Sequence, residues 1–93
     1  MVGGWNILKM EPCNLPQKLA TGFAKVVGDI DGASYEPLLY CATQIVNGTN
    51  HMLICKQTLV TNPPSENIVK MILHETLDGN FIILSIESIM WRK

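Results

Sequence analysis

The chain has no apolar stretch approaching the roughly 20 residues of a membrane-spanning helix. It has no run of basic residues either. Seven Lys and Arg against eight Asp and Glu leave a formal charge of -1, so the surplus that neutralises phosphates is missing and nucleic acid is not an expected partner. The N-terminus lacks the basic start and continuous apolar run of a signal peptide, which makes the expected location cytoplasmic, with no membrane association. Three cysteines, Cys13, Cys41 and Cys55, are odd in number and widely spaced. They make no closed disulfide framework and are expected as free thiols packed like small hydrophobes. The sequon Asn47-Gly48-Thr49 then has no route to a glycosyltransferase and reads as chance.

Signals for chemistry are equally sparse. The only histidines are His51 and His74, and neither lies two or three residues from a cysteine, so no zinc-ligand pair is formed and no cofactor is expected. Both are expected as surface or strand residues. The carboxylates Asp29, Asp31, Glu36, Glu66, Glu75, Asp78 and Glu87 are scattered, with no spacing that forces two of them together. No glycine-rich loop follows a strand and opens a helix, since Gly3-Gly4 is terminal and Gly28 comes late. The chain is expected not to be an enzyme.

Hydrophobic residues make up 47% of the 93 residues and charged ones 16%, which argues for one compact domain over residues 1–93 rather than for disorder. Trp5 to Met10 is a first strand or an extended lead-in, closed by Glu11-Pro12. With Asn14 as N-cap, Leu15, Leu19, Phe23, Val26, Val27 and Ile30 recur at helical spacing on one stripe, and Gln17, Lys18, Thr21 and Lys25 occupy the other side. Gly28, able to take a left-handed C′ conformation, and Asp29 to Gly32 end that helix. Four strands are then expected, at about 38–46, 51–61, 67–75 and 81–89. Asn47-Gly48, Asn62-Pro63-Pro64-Ser65 and Asp78-Gly79 separate them. Val69, Met71 and Leu73 alternate with Ile68, Lys70 and Ile72; Ile82, Leu84 and Ile86 alternate with Ile83, Ser85 and Glu87. One amphipathic helix and a one-sided sheet bury each other's apolar faces. The fold class is therefore α+β, one helix packed across a twisted antiparallel sheet of four to five strands.

Alternate turns of a meander lie at the same end of the sheet. The Asn47-Gly48 hairpin, a strong signal for a two-residue type I′ turn, then shares a rim with the Asp78-Gly79 hairpin. If the first segment pairs antiparallel to the second strand, the chain start joins them. Gly3-Gly4, Gln44 to Gly48 and Leu77-Asp78 would form a row, with apolar side chains near its tips. Such a row is a wedge that fits a concave partner. The bland alternative is that Ile45 and Val46 are strand-end core residues, Gly48 a turn glycine and Leu77 a hairpin side chain.

Gly-Gly near the start, the strand-helix-four-strand order, Gln44-Ile45-Val46-Asn47-Gly48 in the first hairpin and a second hairpin before the last strand together resemble the cystatins. Within that family the chain is most similar to the stefins, single small domains without signal peptides or disulfides. The resemblance implies a cystatin-like fold and a reversible, noncovalent inhibitor of papain-like, cathepsin-type cysteine proteases, acting as a monomer. Its trunk would lie on one side of the catalytic cysteine and its hairpins on the other. By the same resemblance Gly3, Gly4, Gln44, Ile45, Val46, Asn47, Gly48, Leu77 and Asp78 are the protease-binding residues. The chain departs from the secreted cystatins in having no Pro-Trp pair in the second loop, for Trp91 lies beyond it. Two alternatives stay open: a protein-binding module on the same fold without inhibitory activity, and a dimer formed by exchange of the first hairpin.

Overall fold

A computed structural model describes residues 3–10 and 15–91, and of Met90 and Trp91 only the backbone. The elements are β1 (Trp5–Ile7), α1 (Gln17–Gly28), β2 (Ala33–Val46), β3 (Gly48–Leu59), β4 (Ser65–Glu75) and β5 (Phe81–Trp91). The strands form one open sheet in the order β1-β2-β3-β4-β5, every neighbour antiparallel. Helix plus open antiparallel sheet makes the fold α+β, as the periodicities require.

The core lies between the helix and one face of the sheet. Leu19 and Phe23 of α1 meet Leu53 and Cys55 of β3 and Val69, Met71 and Leu73 of β4. These positions alternate along both strands, so one pleated face is dry, and each large side chain buried there contributes about 1.5–3 kcal/mol. Leu15, Val26, Val27, Tyr35, Tyr40, Phe81, Ile83 and Ile86 close the margins of this core.

The helix differs from expectation at both ends. Asn14, the expected N-cap, lies outside the described residues; helical geometry begins at Gln17, with Pro16 at the cap position. Proline pre-sets the φ with which the chain enters the first turn. Gly28 closes the helix as its last residue and Asp29 caps it in the right-handed region. The left-handed glycine is Gly32, at φ 81°, in the turn that leads into β2.

Two strand expectations also change. β2 begins at Ala33, not Leu38, because a register irregularity between Pro37 and Leu39 lets the strand run through the proline. Proline is tolerated in a strand where the ladder is bulged. In β5 the strict alternation fails. Leu73 pairs with Ile83 and Ile72 with Ser85, leaving Leu84 as an extra residue, and Ile89 is a second one between Ser88 and Met90. Each bulge shifts the pleat by one residue. Ile83 and Ile86 therefore both pack on the core, whereas Ile82 and Leu84 are exposed.

A candidate protein-binding rim

The register places the segments singled out in the sequence along one end of the sheet. β1 pairs with β2 through Trp5 opposite Gln44, Asn6 opposite Thr43 and Ile7 opposite Ala42. The Gly3 N–H donates to the Ile45 carbonyl at 3.0 Å, and beyond β1 the Leu8 N–H donates to the Cys41 carbonyl at 2.9 Å. The chain start is thus zipped onto the strand that carries the first hairpin. A Cβ on Gly3 would lie 2.9 Å from the Ile45 oxygen, while one on Gly4 would meet nothing within 4 Å. Close approach inside the chain is the property of Gly3; Gly4 stands clear of it.

The first hairpin is tighter than a two-residue turn. Ile45 pairs with Thr49 and Val46 with Gly48, so Asn47 alone forms the tip. Gly48 holds φ 111°, a conformation that side chains rarely take. It also lies against β4, where a Cβ would collide with the Glu75 carbonyl oxygen and come within 3.0 Å of the His74 ring. Because β3 and β4 pair with Thr49 opposite Glu75, the second hairpin rises from the same end. Its loop is closed by the Thr76 N–H on the Asn80 carbonyl at 2.8 Å and the Gly79 N–H on the Thr76 carbonyl at 3.0 Å. Gly79 supplies φ 88°.

At this rim Ile45 is 65% exposed and Leu77 77%, fractions that leave most of each side chain for a partner. Asn47 and Asp78 are exposed beside them, whereas Val46 is half-buried. The expectation of two apolar side chains at the first tip thus holds for Ile45 and only in part for Val46. The cause is the single-residue tip, which keeps Val46 inside the last pair of the ladder.

Two polar networks lie behind the rim. In the first, Gln44 Nε2 donates to the Gly3 carbonyl at 2.9 Å, Asn50 Nδ2 donates to Gln44 Oε1 at 3.0 Å, and His74 Nδ1 lies 2.7 Å from Asn50 Oδ1. It runs from the chain start across β2 and β3 to β4. In the second, on the helix side, Tyr40 Oη lies 2.6 Å from His51 Nδ1, His51 Nε2 lies 2.9 Å from Glu75 Oε1, and Lys18 Nζ lies 2.8 Å from Glu75 Oε2. The His51 ring lies between those of Tyr40 and Phe81, tilted by 42° and 35° to them, with centroids 5.8 and 6.0 Å away. Lys18 and then His51 hold the Glu75 carboxyl below its ordinary range. Burial, and behind it the Glu75 charge, pushes the Tyr40 hydroxyl up.

Neither network was foreseen, since both histidines read as surface or strand residues. Both are in strands, but His51 is 7% exposed, a core position. The signal was available in the alternation of His51, Leu53 and Cys55, which puts all three on one face. Between Tyr40 and Phe81, His51 holds the Glu75 carboxylate that pairs with Lys18 of α1, and so helps tie the helix to the sheet. Cys41 and Cys55 are free and buried; Cys13 lies outside the described residues. Burial, with the Cys41 charge second, pushes the Cys55 thiol up to about 12, far from a nucleophilic thiolate. Among the described residues no group of three His, Cys, Asp or Glu is arranged to hold a metal ion, and no helix is long and apolar enough to cross a membrane.

Compared with known protein families, curated proteins and solved structures, the chain matches none of them.

Proposed function

We propose that this chain is a cystatin-like, reversible and noncovalent inhibitor of papain-like cysteine proteases, acting in the cytoplasm as a monomer. The observation that carries the reading is the row of three chain segments on one rim, Gly3-Gly4, Ile45 to Gly48 and Leu77-Asp78, with exposed Ile45 and Leu77 at its tips. A convex row of this kind enters a cleft. Inhibition is by occlusion: the trunk and the two hairpins fill the groove on either side of the catalytic cysteine, and no peptide bond is offered to it in a cleavable pose. A few apolar side chains at the centre of an interface of roughly 1,600 Å² dominate such binding. Hydrogen-bonded hairpins lose little entropy on docking.

The test is a titration of papain with the chain and with Ile45→Asp. Ile45 is chosen over Val46 because it is exposed, so the change spares the fold. Micromolar inhibition by the unmodified chain, weakened about 30-fold or more by a charge at a buried hot spot, is the expected result. No inhibition by the unmodified chain would favour a binding module on the same scaffold. Inhibition untouched by Ile45→Asp would place the contact on another edge.

A further inference from the structure

The four hydrogen-bonding groups behind the rim have only one consistent assignment. The Gly3 carbonyl can only accept, so the Gln44 group facing it is the Nε2 amide. That leaves Gln44 Oε1 to accept, and Asn50 must present Nδ2 to it. Asn50 Oδ1 then faces His74, so His74 Nδ1 carries a proton and donates. A single backbone carbonyl thus sets the orientation of two amides and the protonated nitrogen of a histidine. Two links of this relay join residues far apart in sequence, Gly3 to Gln44 and Asn50 to His74, and the third, Gln44 to Asn50, crosses the first hairpin.

We propose that Asn50 and His74 are positioning residues for the trunk. They hold Gln44 with its donor aimed at Gly3, so that the chain start is docked on β2 before any partner arrives. Asn50 sits opposite both Gln44 on β2 and His74 on β4, the middle of three adjacent strands. The His74 ring lies over Gly48, whose missing Cβ leaves room for it. The two residues lie back from the tips, and their effect on a partner passes through Gln44. Without Asn50, Gln44 Oε1 has lost its donor and the side chain turns to other rotamers, releasing Gly3. The second tie of Gly3, its N–H to the Ile45 carbonyl, then frays with it, while the ladder from Trp5 to Ile7 stays on β2. Trunk order is a property of the free chain; its consequence for inhibition rests on the function proposed above.

The experiment compares the full chain with Asn50→Ala, His74→Leu and His74→Asn, the last of which keeps a donor near the Nδ1 position. In the free proteins, amide exchange and heteronuclear NOEs are read at Gly3 and Gly4, with the Leu53 amide as a monitor of global stability. Loss of a single hydrogen bond corresponds to about two- to tenfold faster exchange. That acceleration is expected at Gly3 for Asn50→Ala, less for His74→Leu and not for His74→Asn, with Leu53 unchanged. Unaltered Gly3 exchange in a folded Asn50→Ala chain would overturn the proposal.

A second arm measures papain inhibition in a cycle of Asn50→Ala and Gln44→Ala. If Asn50 acts through Gln44, its substitution weakens inhibition in the unmodified background and adds nothing in the Gln44→Ala background. Effects that add in full would overturn the positioning role. A chain that does not inhibit papain at all would refute the proposed function alone, and the exchange measurement would still decide whether the relay orders the trunk.

Discussion

Replacing Gly48 by alanine tests the geometry of the rim at its tightest point. Two costs act together. At φ 111° a residue with a Cβ stores about 1–3 kcal/mol of backbone strain. The added methyl also meets the Glu75 carbonyl oxygen well inside contact distance, with the His74 ring 3.0 Å away. The ring can turn aside, but the carbonyl belongs to the ladder between β3 and β4 and cannot move without opening Thr49 from Glu75. Overpacking of this kind costs about another 1–3 kcal/mol. The sum, about 2–6 kcal/mol, is a large share of the roughly 5–15 kcal/mol available to a small domain. Urea unfolding followed by circular dichroism, at a slope of about 1–3 kcal/mol per molar, is expected to show the midpoint falling by about 0.7 M or more. A loss below about 0.5 kcal/mol would refute the reasoning, for it would mean that the first hairpin does not lean on β4. The parallel substitution Gly4→Ala, at a position whose Cβ meets nothing within 4 Å, serves as the control.

Two further outcomes follow from the helix-sheet interface. Gly22→Ala gains about 1 kcal/mol of helix propensity, yet its methyl would overlap the Phe81 ring closer than 3.0 Å, so it is expected to destabilise the chain. In a Phe81→Ala background the same change is expected to stabilise it; no reversal of sign in a denaturation cycle would show that Phe81 is not the obstacle. The second concerns acid. The folded-state pKa of Glu75 is lowered by Lys18 and then His51, so its contribution is fully present above the ordinary value of about 4.5 and is lost as pH falls through the lowered one. Lys18→Ala, at a pair exposed on the lysine side, is expected to cost about 0.2–1 kcal/mol at pH 7. The gap between the two chains closes in strong acid; urea midpoints that differ equally at neutral and acid pH would count against this pair.

Much of the architecture was legible in the residues because it rests on local rules. A period of 3.6 over Leu19, Phe23 and Val26 and a period of two over Val69, Met71 and Leu73 follow from bond geometry, whatever surrounds them. Asn-Gly and Asp-Gly mark bends for the same reason, and antiparallel order sends alternate bends to one end. The β5 bulges were not legible. Ile82 to Glu87 alternates as well as any strand, and the extra residues at Leu84 and Ile89 arise only when β5 fits its pleat to β4. Val46 illustrates the same limit, for its half-burial depends on whether one or two residues turn the corner.

The amino-acid sequence by itself determined the helix and the four strands after it in their order, the faces that α1 and β4 turn to the core, and the end of the sheet at which Asn47 and Leu77 arrive; that Gly3 joins them there was decided by the pairing of β1 with β2. Only the tertiary structure decided the partners: Gly3 with Gln44, Asn50 with His74, His51 between Tyr40 and Glu75. Periodicity is set by the backbone and can be read along the chain, but a side-chain hydrogen bond needs its donor and acceptor within about 3 Å. For groups 24 or 41 residues apart, that distance exists only once the strands have taken their register.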